Sequence, residues 1–115
     1  MGQPAYVNTG SIYFKDASDA KQSFEQIQEW VRNAMAGTLS NPDLNGGYGI
    51  YNLEETEHCW INFKAESGRV QNLEWQMKNL RDFIKTLDNV VAFEAPIMVE
   101  SDAGIFWEVD EEELV

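Results

Sequence analysis

His58 and Cys59 are the one histidine and the one cysteine of the chain, and they are adjacent. They stand in "EETEHCW" beside Glu54, Glu55 and Glu57, so carboxylates, an imidazole and a thiol share a short span. Three chemistries could use such a set: metal ligation, a thiol–imidazole nucleophile and general base catalysis. A zinc site needs four ligands that converge. On a strand, Glu57 and Cys59 face one way and His58 the other, so no metal site is expected. The same divergence parts the thiol from its base. His58 remains as a lone general-base candidate, useful only if a cavity closes over it.

Two further motifs are incomplete. "NPDLNG" puts Asn41, Asp43, Asn45 and Gly46 at early positions of a calcium loop, but Asn52 stands where the closing Glu belongs. "GGYG" has no following Lys-Ser/Thr, so it is not a phosphate loop. No cofactor is implied, and a binding role ranks ahead of an enzymatic one.

The elements that position these residues follow from periodicity. "GSIYFK" alternates, with Ile12 and Phe14 on one face and Tyr13 on the other. Ala20, Phe24, Ile27, Val31 and Ala34 form one stripe of a helix, with Asp16 or Ser18 at its start and Gly37 at its end. "TLSNPDLNGG" is a loop. "YGIYNLE" and "HCWINFKAE" are two strands joined through "ETE". Val70, Leu73, Met77, Leu80, Ile84 and Leu87 mark a second helix at spacings of three and four. "NVVAFEA" is a fourth strand, interrupted by Pro96. "IMVE" and "IFWEV" form a closing hairpin over "SDAG".

The order is β-α-β-β-α-β plus a strand. It predicts an α+β domain of ferredoxin-like plan: an antiparallel sheet, two helices on one face, and an extra C-terminal strand in a hairpin. The first and third strands should be central, with the added strand beyond the fourth. The chain, 1–115, is one domain by length; residues 1–9 and the acidic tail 110–115 are expected to be poorly ordered. An apolar content of 43% is enough for a real core.

In this plan the sheet face away from the helices has no internal cover. It should show Tyr13, His58 and Trp60, with Tyr48 or Tyr51 beside them. A closing hairpin carrying Trp107, or the N-terminal residues, could fold across this face. Otherwise it is a surface for a second copy, since aromatic anchors dominate interfaces. Tyr13, Tyr48, His58, Trp60 and Trp107 are therefore the candidate interface and ligand residues. Trp75 lies on the polar side of the second helix, where a loop or terminus laid over it is the expected cover.

Charge limits the partners. The chain carries 20 acids against 8 bases, a net of −12. Residues 86–115 hold nine of the acids and no base, so −9 of that charge lies in the last 30 residues. Nucleic acid and anionic membranes, which are bound through Lys and Arg, are disfavoured. RNA-recognition domains share the strand order, but "HCWINFKAE" lacks their Lys/Arg-Gly-aromatic-Gly-aromatic pattern. A single Cys59 permits no internal disulfide, "MGQPAYVNTG" has no signal-peptide pattern, and Tyr6 stands where a myristoylation motif wants Ser or Thr. A cytoplasmic location is the default.

The leading function is a small acidic binding module that self-associates as a dimer through the open aromatic face. One alternative is a cofactor-free enzyme or small-molecule binder of dimeric α+β type, with its pocket near His58 and Trp60. A second is an acidic inhibitor that docks on a basic partner.

Overall fold

A computed structural model describes residues 4–37 and 49–99 with their side chains, and the backbone of residue 100 and of 106–109. It is an α+β fold with one antiparallel sheet and two helices. The elements run β1 (Ala5–Phe14), α1 (Ala17–Met35), β2 (Ile50–Glu55), β3 (Trp60–Ser67), α2 (Val70–Ile84), β4 (Val90–Glu94), β5 (Ile97–Glu100) and β6 (Phe106–Val109).

The two helices form where the apolar stripes place them. Ala20, Ile27, Val31 and Ala34 of α1 are buried, as are Leu73, Met77, Leu80 and Ile84 of α2. Asp16 caps α1 by accepting the Asp19 N–H at 2.9 Å. Gly37 follows α1 with φ +86°, a left-handed conformation that suits glycine at a helix end. The Trp30 and Phe83 rings stack across the two helices, with centroids 5.4 Å apart. Trp75 is half-buried and rests against the core.

β1 is the spine of the sheet. It pairs with β3 along one flank, from Ala5↔Ser67 to Tyr13↔Trp60. On its other flank it pairs with two strands end to end: β4 against Ser11–Phe14 and β5 against Ala5 and Tyr6. β2 lies outside β3, and β6 lies outside β5. β1 and β3 are thus central.

In the last third the expected fourth strand is split at Pro96 into β4 and β5, which lie in one line along β1, and the added strand is β6, beyond β5. Pro96 explains the break, since it offers no N–H to either neighbour. β1 also begins earlier than expected: residues 5–9, read from sequence as a loose extension, are part of the strand. A register shift between Val7 and Gly10 breaks their alternation and hides them from a period-two reading. Residues 110–115 lie outside the described residues.

One core cluster lies between sheet and helices. From the sheet it takes Val7, Ile12, Phe14, Ile50, Ile61, Phe63, Ala65, Phe93, Ile97 and Val99. At Gly10 the Phe63 ring fills the space a side chain would need. Gln76 on α2 is fully buried and works as a clamp. Its Nε2 donates to Asn72 Oδ1 at 2.7 Å and to the Glu66 carbonyl at 3.4 Å, and its Oε1 accepts the Gly49 N–H at 2.9 Å. One amide thereby joins α2, the end of β3 and the entry to β2. Among the described residues no helix is long and apolar enough to cross a membrane.

Candidate interaction face

The face opposite the helices is built by alternation on β1 and β3. Their core-facing residues are buried, so Ser11, Tyr13, Trp60, Asn62 and Lys64 turn the other way. Tyr13 and Trp60 are directly paired across the strands, with ring centroids 5.9 Å apart and planes tilted by 50°. The His58 ring stacks on Trp60, centroids 4.6 Å apart. The three rings form one row, His58–Trp60–Tyr13, running from the rim of the sheet to its centre.

His58 reaches this row by a different route from the one expected. It was placed on the third strand, but β3 starts at Trp60. Thr56 is the cause. Its hydroxyl accepts the His58 N–H at 3.1 Å and donates to the Trp60 carbonyl at 2.7 Å, which folds residues 57–59 into a turn. Cys59, assigned from sequence to the core face of the strand, is instead half-buried in that turn, and its carbonyl accepts the Phe14 N–H at 2.7 Å.

Polar side chains continue the face. Ser11 Oγ donates to Asn62 Oδ1 at 3.0 Å, and Lys64 Nζ donates to the Asn8 carbonyl at 2.7 Å. Tyr13 Oη donates to Glu94 Oε2 at 3.2 Å. Burial pushes the Tyr13 phenol above its ordinary range, the Ser11 hydrogen bond works against that, and the Glu94 charge adds to it. Tyr51, paired with Lys64, is 42% exposed. Such a face, with aromatic rings at its centre and satisfied polar groups around them, has the composition of an association surface.

No described element crosses it. The closing hairpin does not fold over the rings. It extends the sheet sideways, with Met98 paired to Tyr6 and Trp107 opposite Val99. The residues from Ala5 onward are likewise in the sheet. Of the five candidate residues, the structure brings Tyr13, His58 and Trp60 together. Trp107 stands two strands from Tyr13's strand, and Tyr48 lies outside the described residues. The alternation rule missed Glu94 as the partner of Tyr13, because that contact depends on β4 lying beside β1.

A cleft of about 260 Å³ opens where α1 begins against the β2–β3 turn, lined by Ala17, Lys21, Glu55, Glu57, Trp60 and their neighbours. His58 is not among its lining residues, so the general-base candidate and the cleft are separate. Among the described residues no three His, Cys, Asp or Glu side chains gather as a metal site.

No family model, curated protein or solved structure matches this chain.

Proposed function

We propose that this chain is a small acidic interaction module that pairs with a second copy of itself through the open face of its sheet. The fold is read as a ferredoxin-like variant, with a fourth strand broken at Pro96 and a hairpin added. The row His58–Trp60–Tyr13, lying on a face that no described element covers, carries the proposal. Aromatic anchors of this kind bury large area at low entropic cost and supply interface hot spots. A cytoplasmic setting goes with the reading and rests on the lone Cys59.

Trp60→Asp is the test. It places a charge at the centre of the face without touching the helix-side core. Sedimentation or light scattering should show a dimer for the unaltered chain and a folded monomer for the variant. An unaltered chain that stays monomeric at high micromolar concentration would sink the proposal.

The charge of the last 30 residues favours a second reading, docking on a basic partner. The two readings respond oppositely to salt.

A further inference from the structure

The cleft between the start of α1 and the β2–β3 turn is lined by charges of both signs that do not pair with one another. Lys21 comes from the helix, Glu55 and Glu57 from the end of β2 and the turn. Among the described residues none of the three makes an ion pair or a side-chain hydrogen bond. The acids at the start of α1 are engaged elsewhere. Asp16 accepts the Asp19 N–H, and Asp19 Oδ1 accepts from Asn89 Nδ2 at 2.9 Å.

The rest of the lining is apolar and firm. Ala20 and Ile61 belong to the buried core, and Trp60 stands next to Ile61 in β3. The turn is pinned by the Thr56 hydroxyl, which bonds both the His58 N–H and the Trp60 carbonyl. The backbone that carries Glu55 and Glu57 is therefore ordered before anything binds, which lowers the cost of binding. The volume, about 260 Å³, lies just below the roughly 300–1,000 Å³ of drug-sized pockets, so the occupant is smaller than a drug.

We propose that this cleft binds a free basic amino acid of the lysine type. One cation and two carboxylates on the protein match one carboxylate and two cations on the ligand. The ligand's carboxylate goes to Lys21, its two ammonium groups go to Glu55 and Glu57, and its methylene stem lies along Ala20 and Ile61. The same set of charges rejects other small molecules. A dicarboxylate meets two like charges, and a diamine leaves Lys21 opposed by a cation. The cleft is separate from the His58 ring and does not depend on self-pairing.

Amide NMR shifts of the full chain, titrated at constant low ionic strength, test the site with three probes: L-lysine, norleucine, which lacks the second cation, and cadaverine, which lacks the carboxylate. Lysine should give saturable shifts confined to residues 17–21 and 55–61. Affinity should be in the millimolar range, because solvated ion pairs are individually weak. Norleucine and cadaverine should each bind severalfold more weakly. Lys21→Met should reverse the order, weakening lysine severalfold and strengthening cadaverine. Glu55→Gln with Glu57→Gln should abolish both. All three side chains are exposed, so these variants keep the fold. Three results overturn the proposal: no saturable shift with lysine, equal binding of lysine and cadaverine that Lys21→Met leaves unchanged, or shifts spread over the chain as for unspecific cation uptake by its net negative charge.

Discussion

The ring of Phe63 occupies the place where Gly10, its partner across β1 and β3, would carry a side chain. That ring also stacks on Phe93 from β4, centroids 5.9 Å apart. One glycine therefore allows an aromatic layer to run over three strands.

Gly10→Ala should lower stability by about 1–3 kcal/mol, the usual cost of overpacking a close-packed core. Combining it with Phe63→Leu, which frees the space, should cost less than the sum of the two single changes. Urea unfolding of the four chains measures the coupling.

Gln76 sets a second constraint. Gln76→Leu keeps the volume but leaves the Gly49 N–H and the Glu66 carbonyl without their partner. The buried Asn72 Oδ1 loses its partner as well; a group left unpaired out of water costs roughly 1–3 kcal/mol, and the part-buried Gly49 and Glu66 groups cost less. The midpoint of urea unfolding should fall, and exchange of the Gly49 amide should rise more than that of β1 amides. An unchanged Gly49 amide would mean the clamp is not formed in solution.

Salt separates the two functional readings. Self-pairing of a chain with net charge −12 works against its own repulsion, and screening relieves it. Dimerisation should tighten between low salt and about 0.5 M, as the screening length drops below about 5 Å. Capture by a basic partner should weaken over the same range. Sedimentation at several salt concentrations reads the first, and binding to a polybasic peptide reads the second.

Tyr13 gives an alkaline signature. Folding favours its neutral phenol, through burial and through Glu94, so the folded chain keeps the proton longer than the unfolded chain, whose phenol titrates near 10.0. The contribution is whole below that pH and is lost as pH rises through the raised folded value. Stability should therefore decline above pH 10, and Tyr13→Phe should decline less steeply. Thermal unfolding of both chains across that range checks the difference.

The two helices were legible because their stripes repeat every three or four residues, and the structure buries those same side chains. The Tyr13–Trp60 pair was legible for the same kind of reason, the period of two on β1 and β3. Gln76 and Asn72 were not. A polar residue inside a helix reads as solvent-facing, and only the approach of Gly49 and Glu66 gives Gln76 its inward role. His58 was assigned to a strand because nothing in "TEHCW" announces that a Thr56 hydroxyl will fold the next residues into a turn. The start of β1 was hidden by the shift at Gly10.

β1 precedes in sequence all three strands with which it pairs. Tyr13 finds its partner only when Trp60 has been synthesised, and Ala5 must wait for Val99. No local hairpin can hold the spine of this sheet in the meantime. Closure depends on contacts remote in sequence, which makes folding slow and lets the sheet form late and all together. On the ribosome, then, a nascent chain lacking its last strands would carry an unfinished sheet, and its exposure to unwanted pairing would last until β5 emerged.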